Sequence, residues 1–192
     1  MGVGDANPPH RSSVWKLENK TWEEIGAWDG ASHITGLLMH KGDLYASISF
    51  GRENRVEVLQ YKKSVWNKIG GGGIKGSWEG GIWYMANVLR SWQGKLVVGL
   101  KVNAKDMNKT PLWMYDGKWK EVPVPKQLKG IYSATVSKDK IYFGTQSNIA
   151  SIDDQDAFVY ELSANGVWTE IDRIGVRFIE SLARYATEYF IL

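Results

Sequence analysis

The fold prediction rests on two stretches: Trp-Met-Tyr-Asp-Gly-Lys-Trp at residues 113–119 and Lys-Ile-Tyr-Phe-Gly at residues 140–144. Both are rich in β-branched and aromatic residues and alternate between apolar and polar positions, which is typical of half-buried strands. The dipeptide Asp116-Gly117 is a common hairpin turn. These stretches therefore predict antiparallel hairpins.

The same pattern occurs four times along the chain. In each copy, an apolar alternating run is followed by a short polar turn and then by Trp-x-x-Ile or Trp-x-x-Val. The copies are spaced by about 50 residues, and a second hairpin lies between them, so that each unit contains four strands. The repeated tryptophans are Trp22, Trp66, Trp119 and Trp168. Recurrence in every unit indicates a packing role between units.

Four strands in each of four units of about 48 residues predict an all-β fold, a small β-propeller that forms a single domain over residues 1–192. The chain begins with the outer two strands of a unit and ends with the inner two. We expect the N-terminal strands to complete the last blade, with hydrogen bonds between Val14–Leu17 and Tyr189–Leu192. The alternative is that these strands pair between two copies, as half of an eight-bladed dimeric ring. The protein is therefore expected to be a monomer or a homodimer.

The segment from Trp113 to Gly144, with Tyr-x-x-x-Trp followed by Lys-Ile-Tyr, resembles the repeat of kelch-like and galactose-oxidase-like β-propellers. The chain departs from the kelch pattern where a double glycine should end the second strand: Gly99 and Gly144 are single, and Ser47 and Leu192 replace glycine elsewhere. The resemblance implies a propeller. Many kelch-like propellers are protein-interaction scaffolds, and other propellers carry sialidase-like or lyase-like sites.

Composition excludes several classes of function. The chain has 192 residues and no cysteine, so disulfide scaffolds, cysteine-ligated metals and thiol catalysis are ruled out. Its formal net charge of +3 is too small to predict a nucleic-acid partner. No apolar run approaches the roughly 20 residues that span a bilayer, so no membrane partner is expected. The first ten residues have no apolar core of a signal peptide, which is compatible with a cytoplasmic location but leaves the location open.

The candidate binding residues are aromatic or histidine side chains outside the repeat pattern. The connection between Ile69 and Val88 is roughly seven residues longer than its counterparts and rich in glycine. Loops of repeat scaffolds often carry function, and exposed aromatic rings suit stacking on sugars or anchoring a protein partner. We expect the ligand-binding residues to be Trp28, His33, Trp78, Trp83 and Tyr84, all on one face of the propeller.

Catalytic, metal and cofactor motifs find little support in the sequence. Residues 71–76 match Gly-x-Gly-x-x-Gly, but neither a helix nor a phosphate-binding context follows. The three histidines, at positions 10, 33 and 40, lack the spacing of a metal triad. No catalytic residue, metal site or cofactor is therefore expected. The sequence favours a non-enzymatic, lectin-like module that binds a glycan; a protein-interaction scaffold and a glycan-processing enzyme are the alternatives.

Overall fold

The computed structural model describes residues 2–4, 10–79, 83–102, 109–146, 156–185 and 188–191. In this part of the chain there is no α-helix, and the prediction of an all-β fold is confirmed. No described helix is therefore long and apolar enough to cross a membrane. The strands are β1 Gly2–Gly4, β2 Arg11–Glu18, β3 Thr21–Asp29, β4 His33–His40, β5 Asp43–Phe50, β6 Arg55–Lys62, β7 Val65–Gly71, β8 Trp83–Trp92, β9 Lys95–Val102, β10 Leu112–Tyr115, β11 Trp119–Glu121, β12 Ile131–Ser137, β13 Lys140–Thr145, β14 Ala157–Ser163, β15 Trp168–Ile174, β16 Leu182–Tyr185 and β17 Glu188–Ile191.

The strands form antiparallel sheets in which chain neighbours are also neighbours in space. Three sheets have four strands each: β4 to β7, β8 to β11 and β12 to β15. A three-stranded sheet, β1 to β3, precedes them, and a two-stranded sheet, β16 and β17, follows them. The four-stranded sheets correspond to the repeat units read from the sequence.

The first strand of each sheet packs against the first strand of the next. β4 contacts β8, β8 contacts β12, and β12 contacts β16. Successive sheets therefore contact one another through their first strands.

The core lies between consecutive sheets. One cluster joins Val56 and Val58 of the β4–β7 sheet to Leu89 and Val98 of the next sheet. A second cluster joins that next sheet to Ile141 and its neighbours in the β12–β15 sheet. Because strand side chains alternate between faces, each four-stranded sheet can bury apolar residues toward a neighbour.

The repeated tryptophans connect each sheet to the one before it. The indole Nε1 of Trp66 donates a hydrogen bond to the carbonyl oxygen of Ile25 at 2.8 Å. Nε1 of Trp119 donates to the Ile69 oxygen at 2.5 Å, and Nε1 of Trp168 donates to the Pro123 oxygen at 3.0 Å. The predicted packing role is confirmed for these three tryptophans.

The single glycines of two second strands lie close to isoleucines at or just before the first strand of the next sheet. A Cβ atom on Gly99 would lie 2.6 Å from Cγ2 of Ile131, and one on Gly144 would lie 2.7 Å from Cγ2 of Ile179. Only glycine fits such a distance without displacing the neighbour. Although the double glycine of the kelch pattern is absent, Gly99 and Gly144 remain at the positions where packing leaves no room for a side chain.

The expected closure of the last blade within the chain is wrong for the described residues. β2 pairs not with β17 but with β1, in the register Gly2↔Val14, Val3↔Ser13 and Gly4↔Ser12. β17 pairs with β16, and these two form a sheet of their own. Leu192 lies outside the described residues. β1 takes the part of this edge at Val14, whereas no described strand lies beside Leu17, so the blade stays open there.

Candidate functional site

A cleft of about 340 Å³ opens where the first strands begin. Three successive sheets contribute side chains to it, together with the segment just before β16. The lining residues are Thr35, Met85, Asn87, Lys101, Tyr132 and Glu180.

β-Bulges direct three of these side chains toward the cleft. The pairing register shifts between Ile34 and Gly36, between Met85 and Val88, and between Ile131 and Ser133. The residues at these shifts that line the cleft are Thr35, Asn87 and Tyr132. All three occupy the same repeat position, directly before the residue paired with Ser47, Gly99 or Gly144. A bulge turns an extra residue away from the ladder, and such bulges are frequent beside functional sites.

Lys101 lies between two aromatic rings at the edge of this cleft. Its Nζ is 4.4 Å from the ring centre of Tyr132 and 5.3 Å from that of Tyr84, so both rings make cation–π contacts with it. Burial lowers the pKa of Lys101, and the charge of Glu180 opposes that shift. The amine is thus a half-buried donor, held in place by tyrosines from β8 and β12.

Tyr132 is held in the cleft by stacking on a second aromatic ring. Its ring stacks on Phe178 with a centre-to-centre distance of 4.8 Å and an interplanar angle of 4°. Burial raises the pKa of Tyr132 to about 12, and Glu180 and Tyr84 add to this effect. The phenol therefore stays protonated at neutral pH.

The polar groups of the cleft differ in their freedom to bind. Thr35 Oγ1 donates to the carbonyl oxygen of Ala86 at 2.5 Å and lies 3.0 Å from Ser47 Oγ, so this hydroxyl is held by the protein. The half-buried amide of Asn87 makes no hydrogen bond with any other described side chain or main-chain group. Asn87 and the exposed carboxylate of Glu180 are therefore available to a ligand.

Three of the residues predicted from the sequence lie at this end of the sheets but differ in surroundings. Tyr84 is 37% exposed and lies beside the cleft through its contact with Lys101. His33 is exposed at the start of β4. Trp28 is half-buried and makes an edge contact with Trp66, with ring centres 5.3 Å apart.

The expectation that Trp78 and Trp83 are exposed is wrong. Trp78 is 2% exposed and Trp83 is 3% exposed. Nε1 of Trp78 donates to the carbonyl oxygen of Val56 at 3.0 Å, and its ring centre lies 4.9 Å from that of Trp119. The ring also lies against Gly70, where a Cβ would be 2.9 Å away, so the missing side chain makes room for it. The two tryptophans border a smaller cleft of about 200 Å³, and ligand binding by them stays a prediction.

The sequence did not point to Asn87, Lys101, Tyr132 or Glu180. Asn87 and Tyr132 lie at register shifts, where the alternation that predicts a strand is interrupted. Among the described residues, no group of three or more His, Asp or Glu side chains could hold a metal ion.

No protein-family model matches the chain. No curated protein matches it at a significant level. Among solved structures, the chain is similar to the computationally designed Ika8 protein, with 12% sequence identity and a TM-score of 0.55. The similarity covers 99% of this chain and 51% of the designed chain, so this chain spans about half of its length. At this identity the likeness concerns the fold alone.

Proposed function

We propose that this protein is a β-propeller-type binding module that holds a glycan, without catalysis, in the cleft beside Lys101. The observation that supports this proposal is the repeated bulge. Thr35, Asn87 and Tyr132 stand at one repeat position in three successive first strands, and all three line the same cleft. Because the same β-bulge recurs in three strands and brings their side chains into one cleft, it favours a ligand site at the centre of the blades.

The chemistry of the cleft suits a polyhydroxylated ligand. Each sugar hydroxyl can both donate and accept hydrogen bonds. Lys101 only donates, ionised Glu180 only accepts, and the amide of Asn87 does both. The partly exposed ring of Tyr84 supplies an apolar surface on which the C–H face of a sugar can stack.

An enzyme that cleaves glycans would need different residues in the cleft. Hydrolysis of a glycosidic bond generally uses two carboxyl groups on either side of that bond. Glu180 is the one carboxylate among the described residues that line the cleft. This favours binding over hydrolysis.

A glycan array followed by calorimetry tests the proposal. We expect the purified protein to retain a small set of glycans, and Asn87→Ala to weaken binding of the best one by about tenfold, as loss of one or two hydrogen bonds would. The matched control is Asn67→Ala, because Asn67 is exposed on β7, away from the cleft. Equal affinity of both variants, failure to retain any glycan, or release of a cleaved product would each overturn the proposal.

A further inference from the structure

The inter-sheet tryptophan hydrogen bonds leave one donor without an acceptor. Trp22 holds the same repeat position as Trp66, yet its side chain is 49% exposed and makes no hydrogen bond within the described part of the chain. The bonded tryptophans use acceptors that lie three or four residues after the preceding repeat tryptophan, at Ile25, Ile69 and Pro123. Continuing the series, the acceptor for Trp22 is the carbonyl of Ile171, three residues after Trp168.

Ile171 matches two of the observed acceptors in its position. It lies on β15, the last strand of the last complete sheet, at a register shift between Glu170 and Asp172, just as Ile25 and Ile69 lie at register shifts of β3 and β7. No described sheet follows β15 on its outer side. Trp22 and Ile171 are thus the two halves of a fourth inter-sheet contact that the single chain leaves open.

The free edge of β2 and the strand β17 also match each other in register. β1 covers the edge of β2 only along Ser12–Val14, and no described strand lies beside Leu17 on that side. In the neighbouring sheet, Leu44 of β5 pairs with Tyr61 of β6. By repeat position, Tyr189 of β17 corresponds to Leu44, and Leu17 corresponds to Tyr61. The same register would place Tyr189 opposite Leu17, just beyond the stretch that β1 occupies.

The uncovered edge borders an apolar groove. A cleft of about 630 Å³ lies between the β1–β3 sheet and the β4–β7 sheet, and Leu37, Leu38 and Met39 form part of its wall. Met39 is 62% exposed there, and Leu17 nearby is 54% exposed. Strand edges and apolar surface of this kind invite pairing with another strand.

We infer that a second copy of this chain fills the groove: β16 and β17 of one copy pair with the edge of β2 in the other, and Trp22 bonds to Ile171 across the junction. Two-fold symmetry repeats the junction, so both open ends close at once. Each copy then contributes three complete sheets and two half-sheets, which gives a ring of eight blades. The inference shares the blade arrangement of the proposed function but does not depend on glycan binding.

Light scattering during gel filtration gives the first test. We expect a particle of about 43 kDa, twice the 21.7 kDa of one copy. Trp22→Phe keeps the aromatic ring but removes the donor, and we expect it to raise the dimer dissociation constant by about tenfold. The control is Val65→Ala, an exposed change directly before Trp66 on the equivalent strand of the next sheet. A wild-type particle of about 22 kDa, or a Trp22→Phe dimer as tight as the control, would overturn the inference.

Engineered cysteines test the register, since the chain has none of its own. Leu17→Cys and Tyr189→Cys are made in separate chains, which are unfolded together, refolded and oxidised. Opposed residues of antiparallel strands lie close enough for a disulfide, so the mixture is expected to yield a covalent dimer that neither variant gives alone. If the mixture stays uncrosslinked while a chain that carries both changes forms an internal disulfide, the ring closes within one copy and the inference is wrong.

Discussion

The indole Nε1 of Trp66 lies 2.8 Å from the carbonyl oxygen of Ile25, and the hydrogen bond between them joins two sheets that share no strand pairing. Trp119 and Trp168 repeat this contact in the following sheets. The tryptophan that recurs in the sequence therefore makes the same kind of inter-sheet hydrogen bond in three sheets. The tryptophans hold the outer strands in place, while apolar side chains fill the space between sheets.

Removing the donor of this bond tests its contribution. Trp66→Phe is expected to lower the free energy of unfolding by about 1–3 kcal/mol, because the Ile25 carbonyl is left without its partner. Urea unfolding followed by circular dichroism measures the change. Val65→Ala serves as control and is expected to stay within about 0.5 kcal/mol of the wild type. Equal stability of Trp66→Phe and the control would show that the bond contributes nothing.

Trp78 is expected to behave as a core residue. Its burial against Trp119 and its bond to Val56 predict that Trp78→Ala lowers the free energy of unfolding by about 3–5 kcal/mol. Tyr84→Ala is the comparison, because that ring is partly exposed and its loss should cost about 1 kcal/mol or less. Thermal unfolding of both variants would contradict this account if Tyr84→Ala were the less stable protein.

The close approach at Gly99 predicts a cost for the smallest possible side chain. In Gly99→Ala the new Cβ would lie 2.6 Å from Cγ2 of Ile131, so β9 or β12 must shift. We expect a loss of about 1–3 kcal/mol in the free energy of unfolding. Gly175→Ala is the matched control, since the nearest atom to its Cβ is a carboxylate oxygen of Asp156 at 3.7 Å. A neutral Gly99→Ala in urea unfolding would mean that the sheets are not packed as closely as described.

The sequence predicted the repeated units well and the cleft poorly, for a physical reason. Strand periodicity and the recurrence of Trp66 and its counterparts are local signals that survive in every unit. Burial of Trp78 depends on Gly70 and on a neighbouring sheet, neither of which local periodicity records. Asn87 escaped notice because a bulge breaks the alternation that strand prediction relies on. The pairing of β1 with β2 involves a stretch of only three residues, too short for a periodic signal.

The raised pKa of Tyr132 predicts how stability depends on pH in alkaline solution. In the unfolded chain this phenol ionises near its usual value of about 10, whereas in the folded protein it ionises at about 12. Any stability from this difference is fully present below pH 10 and is lost as the pH rises toward 12, because only the unfolded state then gains a charge. The free energy of unfolding, measured in urea at pH 9 and pH 11, is expected to fall less in Tyr132→Phe than in the wild type. Identical falls would show that Tyr132 is not buried in the folded protein.

A crystal structure of the complex with the best glycan from the array tests the central claim most directly. The account predicts that the sugar lies between Asn87 and Glu180, with one face against the ring of Tyr84 and a hydroxyl bonded to Lys101 Nζ. Density for the glycan over Trp28 and His33 instead, or failure of every array glycan to bind, would contradict it.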